Sequence, residues 1–189
     1  MMEHVSVAEA AKPASPISLQ DCLDKFMERE QLTEMDPWYC SRCKEHRQAY
    51  KQMSLWTTPD VLIVHLKRFL FLPGALPGSS LFRQKLEPLV DFPVEGLDLS
   101  GYLRRVGAPI FSEHGHPPLY DLYGVSEHTG SLRSGHYTAI ARNYEDGRWY
   151  NFNDTHVDET CEPSSRAVSP RAYVLFYKRR ASRPLRWGG

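Results

Sequence analysis

The residues with the most evident potential for chemistry are a histidine and an asparagine in two neighbouring segments. His136 follows a glycine at the start of an apolar run, and Asn153 ends the next such run. Histidine is the usual general base near neutral pH, and a fixed partner on its second ring nitrogen sets its tautomer. We predict that the Asn153 side chain holds and orients the imidazole of His136, which acts as the base. The alternative is that His136 is a hairpin residue without a catalytic role.

A β-hairpin is the element that would bring these two residues together. Residues 137–142 and 148–153 are rich in strand-forming side chains, and residues 143–147 between them are typical of a turn. The turn includes Asp146-Gly147, one of the strongest short hairpin signals. The pattern therefore predicts two antiparallel strands that present His136 and Asn153 at the same end.

The register of this hairpin decides which acidic or amide side chain can reach the histidine. A two-residue turn would place His136 opposite Val157, whereas a four-residue turn would place it opposite Thr155. In both registers Asn153 shares a sheet face with His136, and Asp154 points to the other face. Asn153 is therefore the preferred orienting residue, and a bulge would favour Asp154 instead.

One helix is predicted before the sheet, over residues 18–30. Ser18 is a candidate N-cap with Asp21 three residues later, and an apolar stripe follows at helical spacing. Cys22 lies on that stripe. Its favoured interpretation is a small core residue, because nothing nearby in sequence would lower its thiol pKa, and the alternative is a substitute nucleophile.

Further strands are predicted by apolar runs along the chain. Residues 61–69 are typical of a strand buried on both faces, with His65 as a packed core residue and Lys67-Arg68 at the point where the strand reaches the surface. Residues 50–56 and 119–125 are also predicted strands. The segments 71–84 and 127–135 are predicted loops, because glycine and proline punctuate them, and His128 is assigned to the second loop.

Composition narrows the classes of function. The 23 basic and 23 acidic residues give a formal net charge of zero, which argues against generic binding to nucleic acid or to a membrane surface. No apolar run approaches the ~20 residues of a membrane span, and the N-terminus lacks a secretory pattern. Four cysteines, two of them closely spaced, favour a reduced compartment. We expect a cytoplasmic or nuclear protein.

Cys40 and Cys43 have the spacing of a zinc knuckle. Two thiolates on one tight turn can hold a single ion, but a structural zinc site needs four ligands. The sequence therefore predicts half of a structural zinc site, with local completion by Cys22 and His46 as the less favoured alternative. His114 and His116 are interpreted as solvated loop residues, since no carboxylate or cysteine cluster accompanies them.

Six ordered motifs resemble one family, the ubiquitin-specific proteases, which are papain-like cysteine deubiquitinases. The resemblance runs from about residue 18 to residue 180. The segments that carry it are Trp38-Tyr-Cys-Ser-Arg-Cys43, Pro59-Asp-Val-Leu-Ile-Val-His-Leu-Lys-Arg-Phe69, Lys85-Leu86 with Val90-Asp-Phe-Pro93, Tyr120-Asp-Leu-Tyr123, Gly135-His136-Tyr137 with Trp149-Tyr-Asn-Phe-Asn-Asp154, and Ala172-Tyr-Val-Leu-Phe-Tyr177.

The resemblance implies roles for particular residues. It implies His136 as the catalytic base, Asn153 as its orienting partner and Asp154 as an acidic neighbour that supports the site. Ser134, Gly135 and Tyr137 would belong to a loop near the channel for the ubiquitin tail. These roles make ubiquitin or ubiquitinated proteins the expected partners, with Zn as a structural ion and no cofactor for catalysis.

The family's nucleophile has no counterpart in this sequence. Its cysteine lies in an N-terminal segment of the form Gly-Asn-Thr-Cys-Tyr, which is not found here. The expected fold is therefore α+β, the mostly antiparallel palm and part of the fingers of a papain-like fold, with the thumb largely absent. Residues 18–180 would form this part, with residues 1–17 disordered and residues 181–189 a basic disordered tail.

Two functions remain open at this point. The first is deubiquitination by the full-length family enzyme, to which this chain contributes the histidine and Asn/Asp half while remaining inactive alone. The alternative is a non-catalytic module that binds ubiquitin or a partner.

Overall fold

The computed structural model describes residues 16–72, 82–103, 117–131, 134–160 and 166–180. In chain order its strands and helices include β1 (Ile17–Ser18), α1 (Leu19–Phe26), β2 (Glu30–Gln31), β3 (Trp38–Cys40), β4 (Glu45–Arg47), β5 (Tyr50–Lys51), β6 (Val61–His65), β7 (Phe69–Leu72), β8 (Phe82–Lys85), β9 (Val90–Asp91), β10 (Leu97–Asp98), the 3-10 helix Ser100–Tyr102, β11 (Leu119–Gly130), β12 (Gly135–Arg142), β13 (Trp149–Asn153), β14 (His156–Thr160) and β15 (Ala172–Arg179).

A seven-stranded antiparallel sheet dominates the described residues. Six strands follow the order β14-β13-β12-β11-β15-β6, and β10 pairs with β11 beside this path. The remaining strands form small two-stranded sheets, of which β2-β5 and β3-β4 lie close together in the sequence. The predicted mostly antiparallel α+β fold is confirmed. No helix in the described part of the chain is long and apolar enough to cross a membrane.

The core lies between the central sheet and the segments that precede it. Its largest fully buried side chains include Tyr120 and Tyr177 from the sheet and Leu19 from α1. Helix α1 has the predicted N-cap, since the Ser18 hydroxyl accepts a hydrogen bond from the backbone N–H of Asp21, whose carboxylate accepts one from the backbone N–H of Ser18. The helix ends at Phe26, earlier than the predicted residue 30.

The hairpin between β12 and β13 has the longer of the two predicted turns. Arg142 pairs with Trp149, and the backbone N–H of Asn143 donates to the carbonyl of Arg148 at 2.8 Å. Gly147 closes the turn with a φ of +72°, a conformation that costs a side-chain-bearing residue more than glycine. The four-residue register is therefore the observed one, and the two-residue alternative is wrong.

The strand β6 differs from its prediction. It is the edge strand of the sheet, and its residues alternate between half-buried and exposed, so that one face is partly covered and the other is open to solvent instead of both being buried. His65 is exposed, and its ring meets the ring of Tyr173 edge to face, with 4.6 Å between the ring centroids. Arg68, expected at the surface, is only 4% exposed and donates to the carbonyls of Ala172, Leu86 and Pro88.

Two predicted loops contain strands instead. β11 continues through Gly130 and β12 begins at Gly135, so that only a short turn separates them. The segment 71–84 includes parts of β7 and β8, while residues 73–81 lie outside the described residues. The predicted strand 50–56 is reduced to β5 and an isolated bridge at Leu55. In the segment 127–135 the glycine signal overestimated the loop, because Gly130 and Gly135 pair with each other at the ends of β11 and β12.

Some predictions fall outside the described residues. They are the predicted disorder of residues 1–15, the predicted tail 181–189, and the interpretation of His114 and His116 as solvated loop residues. The structured part reaches one residue before the predicted boundary, since Ile17 pairs with Val90 in a small parallel sheet.

Candidate active site

The central observation is a direct contact between the predicted base and its predicted partner. His136 is the second residue of β12, and Asn153 is the last residue of β13. The His136 Nε2 and Asn153 Oδ1 atoms are 2.6 Å apart. The observed register makes these positions diagonal neighbours on one face of the sheet, within reach of long side chains. Both residues are exposed.

This contact fixes the chemistry that the imidazole can perform. An amide oxygen can only accept a hydrogen bond, so His136 Nε2 must carry the hydrogen that is donated to Asn153. The other ring nitrogen, Nδ1, is then the basic atom of the neutral ring. An exposed imidazole held in one tautomer can remove a proton from a nucleophile and return it to a leaving group.

Asp154 lies in the two-residue connection between β13 and β14, next to the pair. Its backbone has a φ of +52°, in the left-handed region, which aspartate tolerates better than most residues. Asn153 pairs with His156 across this turn. The backbone conformation of Asp154 thus holds Asn153 at the end of its strand, beside His136.

The residues predicted to line a substrate channel surround the start of β12. The backbone N–H of Ser134 donates to the Ser131 hydroxyl, and Gly135 pairs with Gly130. Tyr137 is 55% exposed, although its ring contacts that of His128 with 4.7 Å between centroids. The structure therefore leaves an exposed aromatic side chain adjacent to the base in sequence.

His128 is a neighbour of the site that sequence reasoning placed in a loop. It is a buried residue of β11, and its ring packs against Phe69, Tyr137 and Tyr173. Burial lowers the pKa of the His128 imidazole, and the Lys85 ammonium lowers it further. The predicted strand 119–125 continues through residue 130, but its alternation of buried and half-buried residues breaks at Gly124-Val125 and at Glu127-His128, so the sequence pattern gave no clear signal for His128.

Gly135 is required by this packing. A Cβ atom at Gly135 would lie 2.1 Å from His128 Nε2 and 2.9 Å from the carbonyl oxygen of Thr129. Real Cβ atoms do not approach other atoms so closely, and the buried imidazole has little room to move. The absence of a side chain at Gly135 therefore makes room for the ring of His128.

A buried carboxylate was also missed. Glu127 is 2% exposed and accepts hydrogen bonds from the hydroxyls of Ser169 and Thr138, at 2.6 and 3.3 Å. Arg171 Nε lies 3.4 Å from the same carboxylate. Sequence alone gave no signal for this cluster, because its members come from β11, from β12 and from the segment before β15.

Cys22 has the environment of a core residue. It is half-buried and packs against the hydrophobic core. Burial raises the pKa of the Cys22 thiol, and the neighbouring Asp21 carboxylate raises it further. The thiolate that a nucleophile requires is therefore disfavoured at this position.

Cys40 and Cys43 lie at the turn of the β3-β4 hairpin. The backbone N–H of Cys43 donates to Cys40 Sγ at 3.4 Å and lowers the pKa of the Cys40 thiol. Such a turn suits one side of a metal site. Among the described residues, however, no group of three or more potential ligands comes together, so Cys22 and His46 do not complete a local site. The pair by itself amounts to two potential ligands, whereas a structural zinc site needs four.

The chain matches a family of known proteins over most of its length. The model of the family described as ubiquitin carboxyl-terminal hydrolase matches residues 12–177. The chain is 45% identical over 178 residues to ubiquitin carboxyl-terminal hydrolase 15 of Bos taurus, which covers 94% of the chain and 17% of that protein. It is 42% identical over 179 residues to ubiquitin carboxyl-terminal hydrolase 12 of Saccharomyces cerevisiae, covering 95% of the chain and 13% of that protein.

Solved structures of DUB modules also contain chains that are similar to this one. The SAGA Ubp8/Sgf11/Sus1/Sgf73 DUB module bound to ubiquitin aldehyde contains a chain that is 30% identical, with a TM-score of 0.66 over 89% of this chain and 35% of that one. A SAGA DUB module bound to monoubiquitin matches with a TM-score of 0.65 and 30% identity, over 89% of this chain and 34% of that one. The chain thus spans less than one fifth of these two curated relatives and about one third of the structural ones.

Proposed function

Because the chain belongs to the ubiquitin carboxyl-terminal hydrolase family, we propose that it carries the base half of a ubiquitin-directed cysteine hydrolase site. Its mostly antiparallel sheet is a portion of the papain-like fold of that family. The reaction would be hydrolysis of the bond after the C-terminal glycine of ubiquitin. The observation that carries the proposal is the 2.6 Å contact between His136 and Asn153.

The proposed mechanism uses His136 twice. Nδ1 of His136 removes the proton from a cysteine thiol, and the thiolate sulfur attacks the carbonyl carbon of the terminal glycine of ubiquitin. When the tetrahedral intermediate collapses, the C–N bond breaks and the imidazolium returns its proton to the leaving lysine amine. Water then attacks the thioester carbonyl while His136 takes its proton. The C–S bond breaks, the ubiquitin carboxylate is released, and the proton returns to the cysteine thiolate. Asn153 keeps Nε2 protonated through both steps and so holds Nδ1 ready.

We place the nucleophile outside the described residues. The sequence has no Gly-Asn-Thr-Cys-Tyr segment, and Cys22 has a raised thiol pKa and a place against the core. A base without a nucleophile retains little of the rate enhancement of such a site. We therefore propose that a polypeptide made only of these residues does not cleave ubiquitin conjugates.

The remaining residues of the site have proposed supporting roles. We assign Asp154 the support of Asn153 through its left-handed turn. We assign Ser134, Gly135 and the exposed Tyr137 to the edge of the path taken by the ubiquitin tail. Relatives of the same fold are bound to ubiquitin aldehyde and to monoubiquitin, which supports ubiquitin as the partner.

A structural zinc site at Cys40 and Cys43 is a separate proposal. The two thiols lie on one tight hairpin turn, and the lowered pKa of Cys40 favours the thiolate that a metal requires. Two further ligands from outside the described residues would complete the tetrahedral set. The ion would hold the hairpin together and would take no part in the hydrolysis.

A second candidate function is binding of ubiquitin without cleavage. The observation that favours it is the state of Cys22, whose raised thiol pKa disfavours the thiolate that a nucleophile requires. The fold and the exposed side chain of Tyr137 would then bind ubiquitin without taking part in cleavage.

One experiment tests both candidate functions. The chain is mixed with a fluorogenic amide of the ubiquitin C-terminus, and ubiquitin binding is followed in parallel by isothermal titration calorimetry. We expect binding without turnover in the wild type and in the variants Cys22→Ser and His136→Ala. Turnover that is lost in His136→Ala would contradict the half-site proposal, and its loss in Cys22→Ser would identify the nucleophile. The absence of binding would contradict both candidate functions.

A further inference from the structure

The buried carboxylate of Glu127 lies on the same strand pair as His136, and the pairing of β11 with β12 relates the two. Thr129 is opposite His136, and Glu127 is opposite Thr138, two residues further along the same strands. Residues two apart in a strand, and residues directly opposite each other, share a face of the sheet. Glu127, Thr138 and His136 therefore face the same side.

The bonds made by Glu127 connect three segments of the chain. One carboxylate oxygen accepts from the Ser169 hydroxyl at 2.6 Å and lies 3.4 Å from Arg171 Nε, both in the segment that leads into β15. The other oxygen accepts from the Thr138 hydroxyl of β12 at 3.3 Å. A single side chain of β11 thus ties the histidine strand to the approach of β15.

The burial of the Glu127 carboxylate makes its hydrogen bonds costly to lose. Burying an ionised carboxylate is costly unless hydrogen bonds and an opposite charge compensate. With 2% exposure, Glu127 has almost no access to solvent, so its protein donors must stay in place. The carboxylate therefore resists any displacement of Thr138, and Thr129 adds a hydrogen bond from its hydroxyl to the carbonyl of His136 at 3.3 Å.

We infer that Glu127 is a positioning residue for His136, acting through Thr138 to hold the imidazole in register with Asn153. This inference rests on the proposed function. The His136–Asn153 contact of 2.6 Å depends on the relative placement of two strand ends, and such geometries tolerate displacements of only about 0.5 Å. Without the hydrogen bond between Thr138 and Glu127, two residues from His136, β12 can shift. Such a shift weakens the His136–Asn153 contact, which selects the tautomer.

The test is the tautomer of His136 in the full chain, measured from the ring ¹⁵N shifts by NMR. Four variants are compared with the wild type: Glu127→Gln, Glu127→Ala, Thr138→Val and Glu159→Ala. Glu159 is an exposed glutamate of β14, paired with Arg148, and serves as the matched control. A purely structural role would lower thermal stability without changing the ring tautomer of the folded protein.

We expect the wild type to show protonated Nε2 and unprotonated Nδ1. In Glu127→Ala the ring shifts should move toward the averaged values of a free imidazole, with a smaller move in the same direction in Thr138→Val. Glu127→Gln should restore the wild-type pattern, because an amide of the same size can still accept from Thr138. Glu159→Ala should match the wild type.

Unchanged His136 shifts in folded Glu127→Ala and Thr138→Val would overturn the inference. If Glu127→Ala does not fold, Thr138→Val decides, since valine keeps the shape of threonine and removes one hydroxyl. Asn153→Ala separates this inference from the proposed function. If Asn153→Ala leaves the ring shifts unchanged, the His136–Asn153 pair itself fails; if it changes them while Thr138→Val does not, only the role of Glu127 fails.

Discussion

The histidine end of the central sheet and the cysteine hairpin β3-β4 are both candidate sites, but they are built differently. His136 and Asn153 lie on neighbouring strands of a seven-stranded sheet whose core residues are almost completely buried. Cys40 and Cys43 lie on a two-stranded hairpin whose residues are exposed or only half-buried. The first site has its geometry without help from outside, whereas the second has only two of its ligands.

The difference shows what makes a functional geometry independent of other chains or ions. At the histidine end, backbone ladders and buried polar side chains such as Glu127 and His128 fix the strand positions. A two-stranded hairpin has marginal stability in water unless something else holds it. We therefore expect substitutions to be costly at the histidine end and nearly silent at the hairpin in the absence of metal.

The largest effect is expected for Gly135→Ala. The added Cβ would collide with the buried His128 ring and with the backbone of Thr129, so the free energy of unfolding should fall by more than about 3 kcal/mol. Gly101→Ala is the matched control, because no atom beyond its chain neighbours lies within 4 Å of the position that its methyl group would take. Chemical denaturation measures both. Equal stability of the two variants would contradict the close packing of His128 on Gly135.

The next largest effect is expected for Arg68→Met. Its guanidinium is buried and donates to three backbone carbonyls, which the methionine would leave without donors, so a loss of about 2–3 kcal/mol is expected. Arg47→Met is the control in the hairpin, where the arginine is exposed and pairs only with Glu45. Thermal denaturation measures both variants. If Arg47→Met lowered the melting temperature as much as Arg68→Met does, the contrast between the two regions would be contradicted.

A smaller effect is expected from the titration of His128. Burial lowers its pKa below the ordinary value of 6.5, so the unfolded chain binds a proton that the folded chain does not. Titration of His128 should not change the free energy of unfolding above pH 6.5. The free energy should fall as the pH falls from 6.5 toward the lowered pKa of the folded state, with a slope that corresponds to the uptake of at most one proton on unfolding. His128→Gln should flatten this part of the profile, and His156→Gln, at an exposed position of β14, should not.

The smallest effect is expected for Cys40→Ser. The Cys40 sulfur accepts hydrogen bonds from the backbone N–H groups of Cys43 and Arg42 on an exposed turn, and a serine oxygen can accept the same bonds, so the melting temperature of the metal-free chain should not change. Differential scanning calorimetry with and without added zinc checks this. A lower melting temperature in the metal-free variant would show that the hairpin contributes to the stability of the sheet on its own.

Local patterns predicted the elements that carry the site, and long-range packing explains where they failed. The hairpin, the N-cap of α1 and the face shared by His136 and Asn153 follow from turn chemistry and from the two-residue period of strands. Those signals depend only on neighbouring residues. The family resemblance added the role of each residue, and the matches to relatives of known family support the assignment of the fold.

The failures concern residues whose environment is set by distant segments. Arg68 was expected at the surface, but it is buried because the chain returns at Leu86 and Ala172 to supply its acceptors. Glu127 and His128 were assigned to a loop, because glycines lie nearby and the alternation of buried and half-buried residues breaks at these two positions. The edge position of β6 could not be read from its apolar run, since strand order depends on the whole topology.

The central claim is that His136, oriented by Asn153, is the base for a cysteine that these residues do not contain. Its most direct test is turnover of a fluorogenic ubiquitin amide by residues 18–180 fused behind a family segment that carries Gly-Asn-Thr-Cys-Tyr. We predict turnover in the fusion, none in its His136→Ala variant, and a value of kcat lowered by about 100-fold or more in its Asn153→Ala variant. Turnover that persists unchanged in His136→Ala would contradict the account.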